Sequence, residues 1–146
     1  MLAVGANLIF APVTPLGSLN RRFVPVAFGV RAVALGMVVA GLAVTVWARR
    51  HIGQFCSARV MLKQDHQLIQ SGPYAWVRHP IYGGIFLAML GTALFVGEWR
   101  ALLGAAVFLV GHWIKAQQEE ALLASQFGAA YQEYCRRTGS RFPRLL

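Results

Sequence analysis

The sequence predicts an all-α integral membrane protein: about three to four membrane-embedded helices, the last two a C-terminal hairpin, then an amphipathic cytosolic helix. Three observations carry this. Hydrophobic residues make up 57% of the 146-residue chain and charged ones 13%, about half the charged share of ordinary soluble domains. The apolar residues fall in long unbroken runs. Ten of the fourteen basic residues gather in two segments that a hairpin would place on one side.

A chain of this length makes one domain, residues 1–146, with an atypical N-terminal segment over 1–23. That segment has no positive stretch ahead of its apolar part, which argues against a secretory signal. Pro12, Pro15, Gly17 and Ser18 interrupt its second half. It reads either as a short segment leading to the first span or as a bent span.

Residues 32–48 form the first clear run, 17 residues without a charge. It extends back to Val24 if Arg31 is accommodated, by snorkelling or by facing protein. Residues 81–97 are a second run of 17, and residues 101–114 a third of 14. Seventeen helical residues span roughly 25 Å, slightly less than a ~30 Å hydrocarbon core. Flanking aromatics and arginines can close that gap. Only Glu98-Trp99-Arg100 separates the second and third runs, so they form an antiparallel hairpin.

The hairpin puts residues 49–79 and 115–146 on the same side of the membrane. The basic residues concentrated there mark that side as cytoplasmic. The net charge of +9 is then a topology signal with contact to anionic membrane lipid, and no nucleic-acid partner is needed. Small residues at packing intervals, Gly36/Ala40/Val44, Gly84/Ala88/Gly91 and Gly104/Gly111, are expected at helix–helix contacts. The two cysteines, Cys56 and Cys135, and the four histidines show no metal-ligand spacing, so no metal and no disulfide framework is expected.

Two polar stretches need a reason. In Gly72-Pro-Tyr-Ala-Trp-Val-Arg-His-Pro-Ile-Tyr82, Gly72-Pro73 signals a turn and Pro80 suits the first turn of a helix. His79, preceding a proline, is pushed toward extended backbone. Arg78 and His79 are thereby held at a helix start, where free N–H groups favour an anion. The second stretch, residues 115–134, carries Glu119, Glu120 and Glu133. Its Leu122, Leu123, Phe127 and Tyr131 make an apolar face. The antiparallel hairpin brings Arg78 and His79 near Glu119 and Glu120, with Tyr74, Trp76, Tyr82 and Trp113 at the same interface. A zwitterionic ligand with a cationic centre suits such a set: its carboxylate to Arg78, its hydroxyls to a glutamate, its cation to aromatic faces.

Arg78-His-Pro-Ile-Tyr-Gly-Gly84, followed about forty residues later by EEALLASQFGAAYQEYCRRTGSRFP, resembles the isoprenylcysteine carboxyl methyltransferase and phospholipid methyltransferase family. The upstream stretch WARRHIGQFCSARVMLKQDHQLIQSGPYAWVRHP resembles its bacterial members. The likeness covers roughly residues 46–143. It implies a membrane methyltransferase in the bacterial inner membrane, using S-adenosylmethionine at the cytosolic face, with a binding core over residues 72–143. It implies Arg78, His79 and Glu120 as catalytic residues. Tyr74, His79, Pro80, Tyr82, Gly83, Glu119, Glu120, Tyr131 and Arg141 would hold the cofactor, with Tyr134, Phe142 and Pro143 in a C-terminal wall. Lys115 stands where many relatives are richer in arginine.

Methyl transfer from a sulfonium is an in-line displacement helped by positioning and desolvation. The acceptor is expected to be a lipophilic or membrane-associated small molecule, reaching the site between the hairpin and the 32–48 helix. No obligatory protein partner is evident. A carboxylate acceptor needs only a cation to orient it. An amine or thiol needs a base, for which His79 or a glutamate is a candidate. Two rivals are a sterol-reductase-like enzyme using NADPH and a non-enzymatic lipid-binding or scaffold protein.

Overall fold

The computed structural model describes residue 7 and residues 14–53 and 68–140. Cys56, Arg141, Phe142 and Pro143 lie outside the described residues. A 3-10 turn over Thr14–Asn20 precedes helix α1 (Phe28–Ile52). A second 3-10 turn, Gly72–Ala75, leads into α2 (Pro80–Val96), and α3 (Trp99–Arg137) completes the chain's described elements.

Helix α1 has 25 residues and is long and apolar enough to cross a membrane. Arg31 lies in its first turn, exposed, with its guanidinium 5.5 Å from the Phe95 ring centre. The charge therefore sits at the end of the span against an aromatic face. Arg49, Arg50 and His51 occupy the last turn, where cations complement the helix dipole. Helix α2 is apolar but shorter, 17 residues, and Pro80 begins it.

Helices α1 and α2 pack backbone to backbone. The buried positions of α1 are Ala34, Gly41 and Ala48, spaced by seven so that they share a face. A methyl group on Gly84 would lie 2.6 Å from the Gly41 carbonyl oxygen, and one on Gly91 2.7 Å from that of Ala34. The expected Gly84/Ala88/Gly91 stripe does face α1. The Gly36/Ala40/Val44 stripe does not: Gly36 and Ala40 are exposed, and open space surrounds Gly36. Helix α1 is apolar on every side, so polarity does not mark which small residues meet a neighbour. Where Gly41, Gly84 and Gly91 meet their neighbours, the seam between α1 and α2 has no room for a lipid chain.

Helix α2 turns into α3 through Gly97, whose φ of 70° suits glycine. Ala93, Ala101 and Ala105 form the buried core of this bend, with Met89, Leu90, Val96 and Leu102 around it. The Arg100 guanidinium is buried and donates to Glu98 at 2.7 Å. The Phe23 N–H donates to the Gly97 carbonyl at 2.9 Å, tying the N-terminal segment to the bend.

Helix α3 is 39 residues long and continues from the hairpin into the C-terminal segment. It breaks once, at Gly128 (φ 48°, ψ −121°), a conformation closed to residues with a Cβ. Beyond the break Tyr131 and Tyr134 are buried. Gly128→Ala is therefore expected to destabilise the protein by about 1–3 kcal/mol, through strain rather than crowding, since nothing lies within 4 Å of the position. The thermal midpoint in detergent measures this.

Candidate functional site

The site forms where the residues before α2 meet the end of α3. Three backbone hydrogen bonds join them: Arg78 N–H to the Gly139 carbonyl at 2.8 Å, His79 N–H to that of Ser140 at 2.9 Å, and Gly139 N–H to that of Trp76 at 3.1 Å. Val77 and Gly139 pair as an isolated parallel bridge. Two buried hydroxyls tighten the clasp. Tyr134 donates to the Tyr74 carbonyl at 2.6 Å, and Thr138 to that of Tyr134 at 2.6 Å.

Within this clasp lie the basic pair and the acidic pair. Arg78 Nε donates to Glu120 Oε1 at 3.1 Å. Its Nη1 donates to the carbonyls of Thr138 at 3.0 Å and Cys135 at 3.4 Å. His79 is buried, with Nε2 3.0 Å from Glu120 Oε1 and Nδ1 3.9 Å from Glu119 Oε2. Ser140 Oγ donates to Glu120 Oε1 at 3.3 Å. Tyr82 donates to Glu119 Oε1 at 2.6 Å and stacks on His79 at 5.5 Å. Glu120 is thus the hub of the clasp, whereas Glu119 meets Tyr82 and faces one nitrogen of His79.

The other expected residues separate into roles. Pro80 is fully buried and starts α2, and the Gly83 N–H donates to the His79 carbonyl at 3.0 Å, closing the first turn. Tyr131 is buried beside the cluster, and its hydroxyl meets no oxygen or nitrogen partner among the described residues. Tyr74 belongs to the packing of the segment: its ring stacks on His51 at 6.5 Å. Trp76 and Trp113 are exposed. Of the four aromatics expected to converge, Tyr82 is the one whose ring stacks on His79.

Sequence reasoning did not find Ser140 or Thr138, which carry no motif signal of their own. It also passed over His112. That ring stacks on Phe108 at 4.1 Å and meets Tyr82 edge-on at 5.2 Å. Lys115, one turn on, has its ammonium 5.8 Å from the Tyr82 ring centre.

The electrostatics follow from the contacts. Burial raises the Glu120 carboxyl, but the hydrogen bonds and charges of Arg78 and His79 outweigh it and hold the group below its ordinary 4.5. Burial lowers Arg78, and Glu120 more than restores it, so the guanidinium stays charged. Burial pushes the Tyr131 phenol up, with the Glu120 charge adding to it, and pushes Tyr134 up to about 12. Both hydroxyls keep their protons at neutral pH. A carboxylate lowered on folding contributes stability that is complete above its ordinary value and is lost as pH falls through the lowered one. The Glu120 contribution to the thermal midpoint is therefore expected to be complete above the ordinary carboxylate value and to be lost on further acidification. In Glu120→Gln that acid-dependent loss disappears.

A helical, membrane-competent fold with a guanidinium–imidazole–dicarboxylate cluster at a helix start defines a polar-site membrane protein. The comparisons with known proteins narrow this. The sequence model of the isoprenylcysteine carboxyl methyltransferase (ICMT) family matches residues 34–125, and the chain belongs to that family. It is 36% identical over 113 residues to the protein-S-isoprenylcysteine O-methyltransferase of Schizosaccharomyces pombe, covering 75% of this chain and 48% of the relative. It is 33% identical over 93 residues to the cobalt-zinc-cadmium resistance protein CzcN of Cupriavidus metallidurans, covering 62% of this chain and 42% of that one. Its fold is similar to the eukaryotic intramembrane Ras methyltransferase ICMT, with a TM-score of 0.66 and 26% identity, over 80% of this chain and 43% of the other. The chain spans about half the length of these relatives or less.

Proposed function

We propose that the protein transfers a methyl group from S-adenosylmethionine to a lipophilic, membrane-associated acceptor at the cytosolic face. The single observation behind this is the clasp itself. Arg78 and His79 share hydrogen bonds to Glu120, and Tyr82, bonded to Glu119, stacks on His79, at the start of a membrane hairpin.

The residues fit such a cofactor by their chemistry. The buried Tyr131 hydroxyl, which meets no oxygen or nitrogen partner among the described residues, is a polar atom in need of one. Glu119 is the carboxylate better suited to a ribose diol, because Glu120 Oε1 is already shared by Arg78, His79 and Ser140. The N–H groups at the start of α2 and the Arg78 charge suit the amino-acid carboxylate. When bound, the cofactor supplies an electrophilic methyl group on a sulfonium. The protein's part is to orient and to exclude water. Glu120 fixes Arg78 and His79, and the Tyr134–Tyr74 bond ties the segment before α2 to the end of α3. The basic residues flanking the clasp support a position at the cytoplasmic surface.

Thermal-shift titration in detergent tests the cofactor against the reductase alternative. S-adenosylmethionine and S-adenosylhomocysteine are expected to raise the midpoint, and NADPH to leave it unchanged. At a hundredfold excess over Kd the stabilisation is about 2.7 kcal/mol. Stabilisation by NADPH alone would favour the reductase reading, and by neither the non-enzymatic one.

A further inference from the structure

The two segments on the clasp side hold ten of the fourteen basic residues. The other four, Arg21, Arg22, Arg31 and Arg100, gather at the remote end of the helices, round the Gly97 bend. Arg22 pairs with Glu98 as an isolated antiparallel bridge. Its Nε donates to the Val24 carbonyl at 3.2 Å, and its Nη2 lies against Gly97. The Arg21 carbonyl accepts from the Trp99 N–H at 3.2 Å. The Arg31 guanidinium sits 5.5 Å from the Phe95 ring centre. Among the described residues the one acid at this end is Glu98, and Arg100 donates to it at 2.7 Å. Arg21, Arg22 and Arg31 are all exposed and keep charges that no described acid balances.

The ordinary uses of a terminal arginine do not cover this set. Basic residues that orient a hairpin lie on the cytoplasmic side, and these lie at the opposite end. A cation at a helix C-terminus is favourable, which suits Arg22 beside the end of α2. Arg31 is in the first turn of α1, where the helix dipole opposes a cation. Arg31 and Arg49, both on α1, lie roughly 27 Å apart along its axis, close to the thickness of a hydrocarbon core. The arginines therefore stand at head-group depth. The surface beside them is apolar: Phe28 is 88% exposed, and Val26 and Trp99 are exposed with it. A phospholipid is the molecule that brings an anion and hydrocarbon together at that depth.

We propose that this rim binds an anionic phospholipid in the leaflet remote from the clasp. Arg21 and Arg31 hold the phosphate through charge-assisted hydrogen bonds. Arg22 adds its charge while its side chain straps residues 22–24 to the bend. The acyl chains lie along Val26, Phe28 and Trp99. A zwitterionic lipid carries its own cation, which the unbalanced arginines repel, so the site prefers a head group with net negative charge. The inference rests on the membrane placement of the hairpin and is independent of the methyl-transfer reading.

The test uses the full chain carrying Trp47→Phe, Trp76→Phe and Trp113→Phe, which leaves Trp99 as the sole tryptophan. It is placed in phosphatidylcholine nanodiscs that contain chain-brominated phosphatidylglycerol or chain-brominated phosphatidylcholine as quencher. Brominated phosphatidylglycerol is expected to quench Trp99 at a mole fraction roughly tenfold lower than brominated phosphatidylcholine. Arg21→Gln/Arg31→Gln is expected to bring the two lipids within about twofold of each other. Arg21→Lys/Arg31→Lys keeps the charge and should keep the preference, which separates loss of charge from loss of fold. Arg49→Gln/Arg50→Gln, at the other end of α1, should leave the preference unchanged. Equal quenching by the two lipids in the parent protein overturns the proposal. So does a preference that survives Arg21→Gln/Arg31→Gln, one lost in the lysine pair as well, or one lost equally in Arg49→Gln/Arg50→Gln.

Discussion

Glu120→Ala is expected to weaken S-adenosylmethionine binding roughly ten- to a hundredfold and to loosen the C-terminal segment. Glu120 Oε1 is the point where Arg78, His79 and Ser140 converge. A hydrogen bond involving a charged group contributes about 1.5–3 kcal/mol, and each 1.4 kcal/mol is a factor of ten in affinity. The guanidinium and imidazole then lose the carboxylate that orients them. The loosening has its own readout. The Arg78 and His79 amides donate to Gly139 and Ser140, so their hydrogen exchange should speed up in the variant. Exchange and affinity both unchanged would show that Glu120 organises neither the clasp nor the ligand.

The second large effect lies away from the site. Gly84→Leu is expected to abolish the native packing of α1 against α2. The contact is between backbones: the side chain would start 2.6 Å from the Gly41 carbonyl and 2.9 Å from the Thr45 nitrogen. Neither atom can yield without moving a helix. Overpacking of this kind costs typically 1–3 kcal/mol where flexible side chains give way, and more where only backbone is available. Gly36→Leu is the control: it faces open space and should leave the thermal midpoint within about 0.5 kcal/mol of wild type. Size-exclusion behaviour and the thermal midpoint in detergent distinguish the two variants. Equal behaviour would refute the seam.

Much of the site was legible in the sequence because its chemistry is rare in a membrane chain. An Arg-His-Pro at a helix start and two adjacent glutamates past a hairpin have few other reasons to be there. The hairpin itself follows from a three-residue joint. The phase of α1 was not legible, since Gly36 and Gly41 look equally suited to packing in a helix apolar all round. Gly128 was visible as a glycine inside a helical pattern, but only φ and ψ show that it breaks α3 and is followed by two buried tyrosines. The pairing of Val77 with Gly139 was also hidden. It depends on backbone groups 62 positions apart and leaves no side-chain pattern. His112 had no partner in sequence terms, and its contacts, with Phe108 one turn before it and Tyr82 on the neighbouring helix, appear only in the structure.

The clasp's role as the cofactor's seat is tested most directly by isothermal titration of S-adenosylmethionine into wild type and into His79→Ala, Glu119→Ala and Glu120→Ala. Saturable one-to-one binding by the wild type, weakened at least about tenfold in each variant, is the expected result. Equal affinity in all four proteins, or no binding by the wild type, would contradict it.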